Sequence, residues 1–168
     1  MSAPKNLADL YVEELQDLWS ANDQMVKVVK QMSTKIEDED LSSMLDDAID
    51  GIEDHTATVK ELIEGCDGAD LSKEHCKGME GLVKEARKHV IEEDVDDEVR
   101  AVAAIAQYQR MSHYGIAGFG TAKAFADALG RDDDTAKLDE IVEDIYDADE
   151  FASELAERSV NLAAKQGK

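Results

Sequence analysis

Apolar residues recur at three- and four-residue steps along four long stretches of the chain, which is the spacing of one buried helix face. The pattern predicts helices over about 7–36, 41–62, 96–129 and 134–164. The seam of the last helix is formed by Leu138, Ile141, Ile145, Ala148, Ala152, Leu155, Ser159 and Leu162. The third stretch is rich in alanine, whose small side chain lets neighbouring helices approach closely. We therefore expect an all-α protein.

Turn residues separate these stretches and suggest how they connect. Gly65 ends the second stretch and Gly130 ends the third, as glycine commonly does at a helix C-terminus. Between these two helices lies a long crossover, 65–95, which contains its own short amphipathic helix around Cys76 to His89. Two helix pairs joined by one long crossover are the ferritin-like arrangement of a four-helix bundle. We expect residues 1–168 to form one such domain.

The chain is strongly acidic, with 40 acidic residues against 18 basic ones and a formal net charge of −22. This balance argues against binding to nucleic acid or to an anionic membrane, because both need clustered Lys and Arg. The N-terminus lacks the pattern of a signal peptide, and no stretch is apolar enough to span a membrane. We therefore expect a cytoplasmic protein whose partners are neither nucleic acids nor membranes.

The choice of acid adds a hypothesis about the source of the protein. Asp outnumbers Glu by 22 to 18, although Asp is the poorer helix former. This preference suggests selection on the surface, as in a salt-rich cytoplasm where ions screen self-repulsion. We favour a halophilic source over an ordinary acidic protein.

Cysteines and glycines have structural interpretations. Cys66 and Cys76 are too few for a disulfide framework and lack the spacing of a metal site, and Cys76 fits a small buried hydrophobe. Gly115, Gly118 and Gly120 lie within the third helix, where glycine is costly relative to alanine. We interpret them as sites of close helix contact or of a kink.

Three segments carry a resemblance to a known family. The crossover reads C-K-G-M-E-G-L-V-K-E-A from Cys76, and the third helix reads Q-R-M-S-H-Y-G-I-A-G-F-G-T from Gln109. The first helix contains L-A-D-L-Y from Leu7 and L-Q-D-L-W-S-A from Leu15. Together these segments resemble the YciE/YciF-like family of ferritin-like proteins, nearly from end to end. The resemblance implies a small helical bundle, often dimeric, associated with stress and described as a ferroxidase candidate or a rubrerythrin-like di-iron protein.

The resemblance also implies a ligand set, which this chain does not retain. A di-iron site needs about six ligands, mostly carboxylates, that converge from four helices. Where the resemblance implies glutamates, the sequence has Asn22, Ser112, Gly115 and Ile145. In the second helix, Asp54 and Thr58 occupy the positions of a glutamate and of a His or Gln. We therefore expect that the di-iron centre has been lost and that no cofactor is bound.

Some ligand types survive and keep an alternative open. Asp54, His113 and Asp149 are the residues that could form a remnant mononuclear metal site. A shift of the alignment by three or four residues brings in other side chains, namely Glu53, His55, Asp144 or Asp147. On that basis a di-iron or di-manganese centre built from substitute carboxylates is the second hypothesis.

The candidate ligands also have ordinary structural interpretations. His55 lies on the seam of the second helix and fits a hydrogen-bonded core residue better than a ligand. His113 fits a residue that orients helix packing. A buried Asp149 needs a partner, for which Arg110 or a water molecule is the candidate.

Two functions follow. The first is a stress-associated bundle that is not an enzyme and acts as a homodimer or through the surface of a protein partner. The alternative is a di-iron or di-manganese oxidase, ferroxidase or peroxide-detoxifying protein. No nucleophilic triad and no glycine-rich phosphate loop points to another chemistry.

Overall fold

Helices account for the regular structure of the chain in a computed structural model that describes residues 3–72 and 74–166. The six α-helices are α1 (Leu7–Ser33), α2 (Glu39–Glu64), α3 (Lys77–Ala86), α4 (Asp97–Ala128), α5 (Asp132–Leu155) and α6 (Asn161–Gln166). Two π-helical turns, Arg87–Glu92 and Ala156–Val160, follow α3 and α5. The outermost residues of the predicted 1–168 domain lie outside the described part.

Local side chains decide where the long helices begin and end. The Asn6 side chain accepts a hydrogen bond from the Asp9 amide at 2.9 Å, and Asp38 accepts one from the Leu41 amide at 2.9 Å. These caps satisfy amides that have no partner within the helix. α2 therefore begins directly after Asp38, whereas α1 ends at Ser33, three residues before the predicted 36. Gly130 follows α4 with a φ of 69°, the left-handed conformation that favours glycine.

The four long helices form the expected bundle of two antiparallel pairs. α1 packs against α2, and α4 packs against α5. Across the pairs, α1 also contacts α4 and α2 contacts α5. The crossover between α2 and α4 carries α3, which lies against α1 and α4. The prediction of an all-α bundle of four helices with an extra helix in the crossover is confirmed.

Two clusters of buried side chains fill the bundle, one at each end. One cluster includes Met32, Leu41 and Met111, and the other includes Tyr11 and Leu138, all of them essentially inaccessible to solvent. The long helices contribute the apolar seams that the sequence predicts, up to Leu155 in α5. The junction between the two clusters is therefore at the middle of the bundle.

The end of the last helix differs from the prediction. The seam was expected to continue from Leu155 through Ser159 to Leu162, but the side chain of Leu162 is 54% exposed. The π-helical turn Ala156–Val160 accommodates one extra residue, which rotates everything after it. Val160 takes the buried position instead, at 3% exposure.

α4 differs from the other long helices because its own apolar residues are spread over all of its faces. From Val99 to Ala126 it contains no acidic residue. Its solvent-facing stripe, here named the α4 outer face, is formed by Val99, Ala103, Ala106, Arg110, Ala117 and Ala124. Even so, none of the helices in the described ranges is long and apolar enough to cross a membrane.

Candidate functional site

A small cavity of about 50 Å³ lies in the middle of the bundle, where the two core clusters meet. All four long helices contribute to its wall. Its lining consists of Asn22, Met25, Ala48, Gly51, Ile52, His55, Tyr108, Ser112, Gly115, Phe119, Asp144, Ile145 and Ala148. Buried polar side chains among these apolar neighbours make the cavity the candidate site.

The four positions that the sequence singles out as replaced ligands come together in this wall. Asn22 lies on α1, Ser112 and Gly115 lie on α4, and Ile145 lies on α5. The side chains of Asn22 and Ser112 are buried, at 5% and 2% exposure. Within the described residues Asn22 Nδ2 has no hydrogen-bond partner, and Ser112 Oγ has the Tyr108 side chain beside it. Most buried polar groups have a partner, so the Asn22 amide is an unusual group in a cavity wall.

His55 is the polar side chain that α2 contributes to the cavity wall, beside Ala48, Gly51 and Ile52. Its side chain is 12% exposed, and Nε2 donates to Asp144 Oδ2 at 3.3 Å. The edge of the imidazole meets the Phe119 ring at a centroid distance of 6.2 Å. Burial lowers the pKa of His55, although the Asp144 carboxylate acts in the opposite direction. The imidazole is therefore a largely buried, hydrogen-bonded group that favours its neutral form.

The structure brings together two of the three residues proposed for a remnant metal site. His113 on α4 and Asp149 on α5 are in contact, with His113 Nε2 donating to Asp149 Oδ2 at 3.1 Å. Asp54 is exposed on α2, because the neighbouring residue His55 takes the inward position. Within 3–72 and 74–166, no three His, Cys, Asp or Glu side chains are arranged to hold a metal ion.

The partner of Asp149 differs from the one suggested by the sequence. Arg110 is exposed, and the carboxylate instead accepts from His113, whose side chain is 59% exposed. The second carboxylate oxygen, Oδ1, is buried and makes no hydrogen bond within the described part of the chain. Asp149 also lies near Tyr108, whose pKa is raised mainly by burial. The contact ties α4 to α5 directly beside the cavity.

Comparison with known proteins identifies the family. Residues 6–165 match a family described as a domain of unknown function, DUF892. The chain belongs to the DUF892 family. Protein YciF of Escherichia coli strain K12 is 29% identical over 161 residues, which cover 96% of each protein. The YciE/YciF-like resemblance stated from the sequence is therefore confirmed.

Solved structures agree with this assignment. The crystal structure of the E. coli stress protein YciF matches with a TM-score of 0.88 and 28% identity, covering 94% of this chain and 99% of that chain. YcfI of Rhodopseudomonas palustris, described as a candidate structural protein, matches with a TM-score of 0.84 and 26% identity. That match covers 91% of this chain and 97% of YcfI. The bundle described above is thus the fold of these proteins.

The cavity wall of this DUF892 protein does not fit a di-iron centre. A carboxylate-bridged pair of cations needs several carboxylates and imidazoles that point inward from four helices. Among the lining residues, only His55 and Asp144 offer such groups, and the Asp144 side chain is 69% exposed. Asn22 and Ser112 are neutral, while Ile145 presents only hydrocarbon. No step of chemistry can therefore be assigned here to a pair of metal ions.

A second polar arrangement joins the crossover to the bundle of the DUF892 protein. The Tyr114 hydroxyl donates to Asp17 Oδ2 at 2.9 Å and lies 2.9 Å from Cys76 Sγ. Cys76 is buried at the start of α3, and its sulfur accepts from the Met79 amide at 3.4 Å. Burial raises the pKa of both the Cys76 thiol and the Tyr114 hydroxyl. The thiol is therefore protonated at neutral pH and can donate to the tyrosine oxygen.

This arrangement could not be predicted from the sequence, because its members lie on three different elements. Cys76 was expected to be a small buried hydrophobe, and it is buried but also caps α3. Gly78 belongs to the same contact, since a Cβ at that position would lie 2.7 Å from Tyr114 Cε2. The close approach of α3 to α4 therefore depends on glycine at 78.

A larger groove of about 740 Å³ lies on the surface beside the start of α1. Its wall includes two cationic side chains, those of Lys5 and Arg131. Arg131 is already engaged, because Nε donates to Asp134 Oδ2 at 2.5 Å and Nη2 donates to the Gly65 carbonyl at 3.1 Å. The Tyr11 hydroxyl also donates to Asp134, at 3.0 Å. The polar groups of this groove are thus engaged in hydrogen bonds that connect the ends of helices. We therefore place the candidate site in the central cavity.

Proposed function

We propose that this DUF892 protein is a stress-associated structural bundle without catalytic activity, in which the di-metal site implied by its resemblance to ferritin-like proteins has been lost. The observation that carries the proposal is the wall of the central cavity, where Asn22, Ser112, Gly115 and Ile145 occupy the expected carboxylate positions. The names of the relatives agree with such a role, since YciF is called a stress protein and YcfI a candidate structural protein. We place the protein in the cytoplasm.

Electrostatics supports this proposal. Two divalent cations in a buried site need negative ligands to offset their charge, and burying an uncompensated charge is very costly. Asn22 and Ser112 supply no charge. Ile145 fills the space beside Gly115 with hydrocarbon, since its Cδ1 lies 3.4 Å from the position that a Cβ on Gly115 would take. The wall therefore favours neutral contents over a pair of metal ions.

Metal analysis of the intact protein tests the proposal. We expect protein expressed with iron and manganese available, and purified without chelators, to contain far less than one metal ion per chain by mass spectrometry. An Asp144→Ala, Asp149→Ala double variant, which removes both carboxylates that pair with a histidine, is the matched control and should give the same low value. Two tightly bound ions per chain, lost in that double variant, would overturn the proposal.

The alternative is a di-iron or di-manganese oxidase that uses substitute carboxylates. The observation in its favour is that two imidazole–carboxylate pairs, His55–Asp144 and His113–Asp149, both involve α5. It predicts that the protein accelerates oxidation of ferrous iron, and that the control double variant does not. Equal rates for the two proteins would reject this alternative.

We further propose that the protein acts as a homodimer through the α4 outer face. A chain with a net charge of −22 repels a second copy unless the two meet where acids are absent. α4 provides such a surface, since it has no acidic residue between Val99 and Ala126 and exposes apolar side chains such as Val99, at 45%. Small residues at this spacing allow close approach of two helices.

A charge placed on this face tests the dimer. We expect sedimentation velocity to show a dimer for the natural protein and a monomer for Ala117→Glu, because two added carboxylates would meet at the interface. Ala57→Glu, on the exposed face of α2, adds the same charge elsewhere and should stay dimeric. A monomeric natural protein, or a dimer unaffected by Ala117→Glu, would contradict the proposal.

A further inference from the structure

We infer that the central cavity is a binding site for a small neutral hydrogen-bonding molecule, with one or two ordered water molecules as its occupants. This inference rests on the proposed loss of the metal site, because a metal would need the same space. It adds what occupies the site and which atoms bind it.

The binding groups are the side chains of Asn22 and Ser112. Both are more than nine-tenths buried and line the cavity; within the described residues Asn22 Nδ2 has no hydrogen-bond partner, and Ser112 Oγ has the Tyr108 side chain beside it. The amide nitrogen can only donate, whereas the hydroxyl can donate or accept. Water can serve both, since it donates two hydrogen bonds and accepts two. It would then link α1 to α4 across the cavity.

The charge of the wall selects a neutral occupant. Among the residues that the structure describes, no Lys or Arg side chain lines the cavity, so an anion would lack a counter-charge. The imidazole of His55 and the carboxylate of Asp144 are engaged with each other at 3.3 Å. A cation would therefore compete with that hydrogen bond and would find otherwise neutral or apolar groups. Buried charges without partners are rare for this reason.

The size of the cavity selects a small occupant. A cavity holds a water molecule once it offers about 10–15 Å³ of probe volume, and a buried water commonly has two to four polar partners. The cavity volume of about 50 Å³ is enough for water and is well below the size, about 150 Å³, of a cavity that takes up benzene. Larger cavities with apolar walls stay dry and take up xenon. Water in this cavity would therefore indicate a polar wall, and xenon would indicate an apolar one.

Crystallography of the natural protein, with and without xenon pressure, tests the inference. We expect solvent density within hydrogen-bonding distance of Asn22 Nδ2 and Ser112 Oγ, and no xenon in the cavity. The double variant Asn22→Leu, Ser112→Ala makes the wall apolar and should lose this density. Xenon bound in the natural cavity, without solvent density, would overturn the inference and leave the proposed function standing. A metal peak at the anomalous edge would overturn both.

A solution measurement covers the case in which the double variant fails to fold. Magnetisation transfer from water to the Asn22 side-chain amide protons of the natural protein reports a bound water that stays for longer than nanoseconds. We expect a cross-peak whose sign indicates slow tumbling with the protein. The absence of that cross-peak, with the amide resonances assigned and protected from exchange, would reject the inference.

Discussion

At the scale of single residues, a rotation of about 100° per residue in a helix decides which of two neighbours reaches the site. Asp54 and His55 are adjacent, and the resemblance selects Asp54 while the structure turns His55 inward. Periodicity favours His55, which falls three residues after Ile52 and four before Val59 on the seam, so the family resemblance and not the helical spacing selects the outward-facing neighbour. On α1, α4 and α5, by contrast, the four positions that the resemblance selects all lie in the cavity wall, namely Asn22, Ser112, Gly115 and Ile145.

The glycines of α4 provide a prediction at this scale. A Cβ on Gly118 would lie 2.7 Å from Leu18 Cδ2, and Leu18 is buried at 1% exposure. We expect Gly118→Ala to lower the free energy of unfolding by about 1 kcal/mol or more, because overpacking costs about 1–3 kcal/mol and outweighs the better helix propensity of alanine. Urea unfolding followed by circular dichroism measures the change.

Gly120 is the matched control for this substitution. It lies two residues further along the same helix, and a Cβ there would meet no atom within 4 Å. Gly120→Ala should raise the free energy of unfolding by about 0.5–1 kcal/mol through helix propensity alone. If both variants were equally stable, close contact with α1 would not be the reason for Gly118. The expectation of close helix contact thus applies to Gly118 and not to Gly120.

At the scale of elements, the attachment of α3 depends on one tyrosine. Tyr114 on α4 binds Asp17 on α1 and contacts Cys76 at the start of α3. Tyr114→Phe removes both contacts and leaves Asp17 without this donor. A hydrogen bond to a charged group contributes about 1.5–3 kcal/mol, so we expect amide exchange in Lys77–Ala86 to become at least tenfold faster while α5 changes little.

Hydrogen exchange with mass spectrometry measures this effect, and Tyr146→Phe is its control. Tyr146 is 52% exposed on α5, and its hydroxyl makes no such contact within the described residues. The control should exchange like the natural protein. Equal protection of α3 in all three proteins would show that apolar packing, rather than these hydrogen bonds, attaches the crossover helix.

The positions of individual helices could be predicted from the sequence, because local spacing and turn residues determine them. Contacts between helices could not, because they depend on how the helices pack. Periodicity and glycine located all four long helices, while the start of α2, two residues before the predicted 41, is set by the Asp38 cap. The π-helical turn before α6 was missed, because a one-residue insertion leaves the spacing of Leu155 and Leu162 looking regular. The contact of Asp149 with His113 depends on how far α4 and α5 slide along each other, which no single sequence pattern encodes.

At the scale of the whole molecule, acidity and site chemistry are separate properties. The chain carries 40 acidic residues, yet the cavity is lined by one of them, and α4 has none between Val99 and Ala126. The acids therefore lie mainly on the exposed faces of the other elements. Their like charges repel one another more strongly in the compact folded state than in the extended unfolded chain. Stability should accordingly depend on ionic strength.

Potassium chloride tests this dependence and the proposed halophilic source together. The Debye length falls from about 10 Å at 0.1 M salt to about 3 Å at 1 M, so added KCl should screen the repulsion and raise the midpoint of thermal unfolding over that range. Sucrose stabilises proteins without screening charge and is the control, and it should raise the midpoint without removing the response to KCl. An unfolding midpoint that is the same in low and molar KCl would contradict salt adaptation, since a net charge of −22 would then not destabilise the fold.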